Sequence, residues 1–146
     1  MSNNNDLLYV CTLIEYMGRV TMNKRSDIVE LLGKDELGRL VDLADVNHSL
    51  SLEEVSDELI NEFGIRKGMY DSVGSSMYNV PTIDAIAKDF MYLVVNTITS
   101  DQNLTDAIYN VFTSFISEEI TDFNSSVYYS SPDYLKESYL QGELLA

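Results

Sequence analysis

Hydrophobic residues recur at spacings of three and four along most of the chain, which is the pattern of amphipathic helices rather than of strands. Gly18, Gly33 and Gly64 each follow such a run. A glycine in the left-handed conformation closes the last turn of a helix without a Cβ clash, so we expect a helix to end at each of them. The helices predicted before the middle of the chain span about residues 5–17, 24–32, 35–44 and 52–63.

Three start signals support the helix assignment. Ser51 followed by Glu54 has the spacing of a capping box, in which each side chain reaches the backbone amide of the other residue. Thr82 is a suitable N-cap, and Ser131 followed by Pro132 combines an N-cap with a residue favoured in the first turn. The helices predicted in the second half span about residues 83–97, 101–116 and 132–144.

The periodicity fails from Ile65 to Pro81, where glycine, serine and asparagine cluster. A connection of this length is unusual, so it is functional, locally ordered or contains a short strand pair. The sequence predicts an all-α fold, a compact bundle of six or seven short amphipathic helices with one long irregular loop at about 65–81. We expect a single domain over 1–146, with sub-parts at 6–64 and 82–146 on either side of the loop.

Charge is distributed unevenly along the chain. The 146 residues are 45% hydrophobic, which suffices for one buried core, and the formal net charge is -15. From Asp89 onward there are nine acidic residues and one base, whereas the first 88 residues hold fifteen acids and eight bases. Such a field repels nucleic acid and acidic membranes and attracts basic partners.

Cysteine content and hydropathy indicate the compartment. The single cysteine, Cys11, excludes a disulfide within the chain. No apolar stretch approaches the roughly 20 residues of a membrane span, and the amino terminus lacks the pattern of a secretory signal. We therefore expect a cytoplasmic protein that does not bind membranes.

Candidate catalytic groups are few. Cys11 falls in an apolar helical stripe, where burial disfavours a thiolate, and His48 falls in a turn between helices. There is no glycine-rich phosphate loop and no calcium-binding loop. The acidic pairs of the fourth helix, Glu53 with Asp57 and Glu54 with Glu58, are typical of a solvated face. We predict no catalytic residues, no cofactor and no metal, and we interpret the chain as non-enzymatic.

Three stretches carry a resemblance to other proteins, namely LLYVCTLIEY (7–16), DVNHS (45–49) with VSDELI (55–60), and YNVPTID (78–84). They resemble parts of a small uncharacterised bacterial family whose members often lie beside predicted ADP-ribosyltransferase-like toxins. The resemblance covers roughly residues 7–95, and its motifs indicate no particular chemistry. It implies an accessory or antitoxin role by analogy and assigns no functional residue.

The leading functional prediction is an acidic protein-binding module that occupies a basic surface of a partner, as an antitoxin, immunity protein or inhibitor does. Exposed tyrosines would supply anchors beside the acids of the C-terminal segment. The candidate partner-binding residues are Glu118, Glu119, Asp122, Tyr128, Tyr129, Asp133, Tyr134, Glu137, Tyr139 and Glu143.

Four alternatives remain open at this point. The acids could mimic nucleic acid and block an enzyme that binds DNA or RNA. The apolar faces near 83–97 and 103–117 could be shared between copies in a homo-oligomeric structural protein. A pair of carboxylates could perform hydrolysis, or the acids could only keep the chain soluble.

Overall fold

The computed structural model describes residues 4–74, 80–121, 127 and 130–145. These residues form eight helices and no strand, which confirms the all-α prediction. None of the described helices is long and apolar enough to cross a membrane. The helices are α1 (Asn4–Thr21), α2 (Arg25–Asp42), α3 (Ala44–Asn47), α4 (Leu52–Phe63), α5 (Ile83–Thr97), α6 (Leu104–Phe112), α7 (Phe115–Thr121) and α8 (Pro132–Gln141).

Helix α1 lies in the middle of the bundle and packs chiefly on α5 and α2. Its apolar stripe is wide, and Val10, Cys11, Leu13, Ile14 and Met17 are fully buried. A broad stripe of this kind is what a central helix needs, because neighbours cover it from several sides. Helix α1 is therefore the central helix of the described bundle.

Helix α5 completes the core from the other side. The ring of Phe90 stacks on that of Phe112 in α6, with centroids 4.3 Å apart and ring planes 8° from parallel. Both side chains are fully buried. Stacked aromatic pairs contribute about 1 kcal/mol beyond the area that they bury, so this pair joins α5 firmly to α6.

The predicted helix starts are confirmed. The amides of Glu54, Ala85 and Tyr134 donate to the hydroxyls of the N-cap residues at 3.0, 3.0 and 3.2 Å respectively; those N-cap residues are Ser51, Thr82 and Ser131. At Ser51 the second interaction of the capping box, made by the Glu54 side chain, differs from the prediction. The Ser51 hydroxyl donates to the Glu54 carboxylate at 3.2 Å, so serine and glutamate pair through their side chains.

The glycine signals are confirmed at two positions and wrong at the third. Gly33 (φ 79°) breaks α2, and Gly64 (φ 61°) ends α4. Gly18 lies inside α1, which continues to Thr21 and ends where Met22 takes a positive φ of 58°. The amide of Asn23 donates to the Gly18 carbonyl at 3.1 Å. This bond closes the helix end one turn beyond the glycine, in the pattern of a Schellman motif.

Other boundaries also differ from prediction. The helices expected at 24–32 and 35–44 form one element, α2, interrupted only at Gly33. The helix expected over 101–116 is two helices, α6 and α7. Between them the hydroxyls of Thr113 and Ser114 donate to the carbonyls of Tyr109 and Val111, both at 2.7 Å. Such side-chain bonds compete with helical ones, which accounts for the interruption.

The long segment after α4 is locally ordered where it is described. Amides of Gly68 and Tyr70 donate to the carbonyls of Thr21 and Met22 at 2.7 and 2.9 Å. A Cβ atom on Gly68 would lie 2.6 Å from the backbone carbonyl oxygen of Met22, so this close approach requires glycine. The segment is therefore docked on the α1–α2 turn, and residues 75–79 lie outside the described part.

A buried ionic cluster ties the helices together. Glu15 accepts from the Nε atoms of Arg25 at 2.5 Å and of Arg19 at 2.6 Å. Arg25 also donates to the Ser117 carbonyl at 3.3 Å, and Arg19 donates to the Pro81 carbonyl at 2.7 Å. One carboxylate in α1 thus organises contacts to α2, to α7 and to the start of α5.

Candidate functional site

Helix α4 carries five acids and no base within its 12 residues. Its inner face is anchored in the core by Val55 and Leu59, which are 4% and 3% exposed. The outer face carries five carboxylates that are all exposed, and none of them forms an ion pair with a described residue. We call this outer face the α4 acidic face; its members are Glu53, Glu54, Asp57, Glu58 and Glu62.

The carboxylates of the α4 acidic face lie in two rows along the helix. Glu53 and Asp57 form one row, and Glu54, Glu58 and Glu62 form the other. Successive members of a row are four residues apart, which corresponds to a rise of about 6 Å. Like charges at this spacing repel by a few tenths of a kcal/mol each, so the rows persist because core packing holds the helix.

The base Arg39 responds to this field without neutralising it. The pKa of Arg39 is raised, mainly by its hydrogen bond with Glu36 and by the charge of Glu36, with smaller contributions from Glu62 and Glu58. Its ion pair is with Glu36, at 2.7 Å. The α4 acidic face therefore keeps its negative potential at the surface.

A groove of about 510 Å³ lies beside the start of α4, where α3 and α4 cross the first half of α1. The rings of Tyr9 and His48 meet there, with centroids 4.5 Å apart and planes tilted by 53°. Most of the lining surface is apolar, with polar groups at intervals along it. The groove is lined by Asn5, Leu8, Tyr9, Thr12, Asp45, His48, Leu50 and Leu52.

Tyr9 lines the groove, and the environment of its hydroxyl group is unusual. The residue is only 6% exposed, and no hydrogen-bond partner for the hydroxyl is found within the described part of the chain. Burial raises the pKa of Tyr9 above its ordinary value. The phenol therefore stays neutral and contributes a rigid apolar wall with an unsatisfied polar tip.

Two apolar side chains that precede α4 in the chain are exposed. Val46 is 63% exposed and Leu50 is 40% exposed. They lie on α3 and on the turn that follows it, within a few residues of Glu53 along the chain. Exposed aliphatic groups bordered by charge are the composition of a recognition surface, in which apolar anchors are surrounded by a polar rim.

Most of the basic residues form ion pairs with acids of the same chain. Seven of them form ion pairs with acids: Arg19, Lys24, Arg25, Lys34, Arg39, Lys88 and Lys136. Arg66 and Lys67 are exposed, and neither forms an ion pair with a described residue. No base is therefore paired with the α4 acidic face.

Several residues predicted for partner binding have partners within the chain. Glu118 pairs with Lys24 at 3.3 Å, and Glu137 pairs with Lys136 at 3.5 Å. Asp133 accepts a short hydrogen bond from the Tyr92 hydroxyl. These acids are thus partly neutralised or engaged in docking α8.

The predicted tyrosine anchors that can be placed are partly buried. Tyr134 donates its hydroxyl to the Leu145 carbonyl at 2.8 Å and packs on the core, as does Tyr139, whose pKa burial raises. Glu119 is half-buried and Glu143 is exposed. The remaining predicted residues, Asp122, Tyr128 and Tyr129, lie outside the described residues.

The C-terminal segment is a docked helix where it is described. Leu135 is 1% exposed and Ser138 is fully buried, and α8 packs on α5 and α7. The predicted C-terminal residues that are described therefore spread over α7, α8 and the residues after α8, whereas the acids of the α4 acidic face lie on a single helix.

The groove does not assemble an activated nucleophile from the residues that line it. Cys11 is fully buried, and burial raises the pKa of its thiol well above the ordinary value, which keeps it protonated. His48 is exposed at the end of α3 and contacts Tyr9. Over the described residues, no group of three or more potential ligands could hold a metal ion.

Sequence reasoning identified the acids of α4 but interpreted them as a solvated face. It did not predict the groove that Leu8, Tyr9 and Leu50 form beside α4. These residues come together only in the folded chain, where α3 and α4 pack on α1. One signal was available beforehand: α4 has five acids and no base within its 12 residues. A helix without compensating bases is a candidate binding surface for a partner that supplies them.

Comparisons with protein-family models, curated proteins and solved structures find nothing that matches the chain.

Proposed function

We propose that the chain is an acidic protein-binding module that occupies a basic surface of another protein, in the manner of an antitoxin, immunity protein or inhibitor. The observation that carries the proposal is the α4 acidic face: five exposed carboxylates on a helix fixed by the core, none paired with a described base. The resemblance of residues 7–95 to a toxin-associated family agrees with this role by analogy.

The charge of the whole molecule assists the same contact. A net charge of -15 steers a basic partner toward the surface and raises its association rate by roughly 10- to 1,000-fold at low salt. Presentation on a helix fixed by the core also means that little backbone conformational freedom is lost on binding. The exposed Val46 and Leu50 would supply apolar contacts at the edge of the charged contact.

The test compares two variants with equal changes of charge. The α4 variant carries Glu53→Gln, Asp57→Asn, Glu58→Gln and Glu62→Gln, and it leaves Glu54 in place because that residue pairs with the N-cap Ser51. The C-terminal variant carries Glu118→Gln, Glu119→Gln, Glu137→Gln and Glu143→Gln. Circular dichroism and thermal melts check that both variants are folded.

Each protein is used to capture partners from extracts of the cells that encode it, with crosslinking and mass spectrometry. We expect the wild type and the C-terminal variant to capture the same basic protein at about 0.05 M salt, and the α4 variant to lose it. Equal capture by the α4 variant would show that the partner does not use this face. Loss only in the C-terminal variant would place the contact on α7 and α8 instead.

A further inference from the structure

The groove beside α4 is mostly apolar, and one flank of it is acidic. Leu8, Leu50 and Leu52 provide aliphatic surface, and Asp45 lies at the edge. Asp45 is exposed, as is Glu53 one residue after Leu52. A ligand that fills this groove must therefore combine apolar side chains with positive charge.

We infer that the groove receives the apolar stripe of a basic amphipathic helix belonging to the partner protein, an inference that rests on the proposed function. The volume of about 510 Å³ accommodates a few apolar side chains rather than a folded element. Helices dock in this way by inserting side chains from positions i, i+3, i+4 and i+7 into an apolar groove.

The spacing of the acids argues for a helical occupant rather than an extended one. The carboxylates of each row on α4 repeat every four residues, a rise of about 6 Å. Lysine or arginine at i and i+4 on a neighbouring helix has the same repeat, so several charge pairs form in one register. In an extended strand, side chains on one face repeat at nearly 7 Å, which matches the rows less closely.

Other occupants fit the charges less well. A nucleic acid is repelled by Asp45 and the α4 acidic face. A second copy of the chain brings its own charge of -15. Its only bases without an ion pair to a described residue, Arg66 and Lys67, lie in the segment after α4 and not on a helix.

The probe is a fluorescein-labelled synthetic peptide of about 18 residues with leucines at helical spacing on one face and lysines at i, i+4 beside them. A second peptide has the same composition in an order that destroys the amphipathic period. Both are titrated with the wild type, the α4 variant, Leu50→Ser and Leu144→Ser while fluorescence anisotropy is measured. Leu144→Ser is the matched control, because Leu144 is 36% exposed and Leu50 is 40% exposed.

We expect the amphipathic peptide to bind the wild type and Leu144→Ser equally, and Leu50→Ser about fivefold or more weakly. The reordered peptide should bind more weakly and should not respond to Leu50→Ser. Backbone amide chemical shifts of residues around Leu8, His48 and Leu50 should change with the first peptide only.

Three results would overturn the inference. An amphipathic peptide that fails to bind, or that binds Leu50→Ser as tightly as wild type, shows that the groove is not its site. A dimer in light scattering that Leu50→Ser abolishes shows that a second copy fills the groove. In each case the proposed function survives if the α4 variant still loses the captured partner, and it falls separately if that capture persists.

Discussion

Arg25 donates from Nε to the Oε1 atom of Glu15 at 2.5 Å, and both side chains are only 3% exposed. The guanidinium carbon of Arg25 also lies 4.9 Å from the centre of the Phe90 ring. Helices α1, α2 and α5 therefore meet at a charged contact inside an otherwise apolar core. Since the ions have lost their water, each depends on the other for compensation.

Glu15→Gln should strongly destabilise the fold. It keeps the shape of the side chain but removes the charge that compensates Arg25 and Arg19, so we expect the free energy of unfolding to fall by about 3 to 5 kcal/mol. Urea denaturation followed by circular dichroism measures it. Asp84→Asn is the control: Asp84 pairs with Lys88 at 2.9 Å on the surface, and its loss should change stability by less than about 1 kcal/mol. Equal effects would contradict the account of the buried cluster.

Ser56→Ala should be neutral or stabilising, in contrast to Ser138→Ala. Both serines are fully buried, but the Ser56 hydroxyl has no hydrogen-bond partner in the described structure, whereas the Ser138 hydroxyl accepts from the Leu145 amide at 3.3 Å. Removing an unsatisfied hydroxyl removes the cost of burying it without a hydrogen bond. Removing an acceptor leaves its donor without a hydrogen bond. We expect Ser56→Ala to be more stable than Ser138→Ala by about 1 kcal/mol in chemical denaturation. The opposite order would mean that Ser56 is satisfied.

The half-buried carboxyl of Asp89 should make stability depend on pH. Burial raises its pKa from 3.8 to about 6, against an opposing attraction from Arg25. Between about pH 4 and pH 6 the unfolded chain ionises this group while the folded chain keeps it protonated. Its contribution to the free energy of unfolding therefore falls as the pH rises through this window and is level above it.

Asp89→Asn removes this contribution. We expect the variant and the wild type to be equally stable near pH 4, and the variant to gain about 1 to 2 kcal/mol over the wild type by pH 7, a range reduced for partial solvent exposure. Urea midpoints measured at intervals of half a pH unit give the difference curve. A difference that does not change with pH would contradict the raised pKa.

Gly33→Ala and Gly38→Ala, both within α2, should have unequal effects. Gly33 has φ 79° and ψ 167°, a backbone conformation open essentially to glycine alone, so alanine there should destabilise by about 1 to 3 kcal/mol. Gly38 has helical geometry, and a Cβ atom there would meet only the Thr105 hydroxyl, at 3.3 Å. Alanine at 38 should therefore be close to neutral in thermal melts, because its helix propensity offsets this tight contact. Similar losses at both positions would show that the break at Gly33 is not required.

The parts of the fold that the sequence predicts are those decided within one turn of helix. The caps at Ser51, Thr82 and Ser131 depend on a hydroxyl and an amide three residues apart, and all three were predicted. The end of α1 was placed wrongly at Gly18, because the carbonyls of Thr21 and Met22 are fixed by the segment around Gly68, which lies far along the chain.

Only part of the candidate site could likewise be predicted from the sequence. The acids of α4 follow from the sequence pattern, since helical spacing alone puts them opposite Val55 and Leu59. The groove could not be predicted, because it requires Tyr9 of α1 to meet His48, which follows α2 and α3 along the chain. The C-terminal candidates were chosen for their charge, and the ion pair between Glu118 and Lys24 depends on tertiary packing.

The most direct test of the central claim is the association rate of the captured partner, measured by stopped flow as a function of ionic strength. We expect the wild type and the C-terminal variant to lose association rate steeply between about 0.05 and 0.5 M salt, and the α4 variant to be slower at low salt with a shallower slope. This result would place the steering charges on the α4 acidic face. Equal slopes for the α4 variant and the wild type, with the shallow slope in the C-terminal variant, would contradict it.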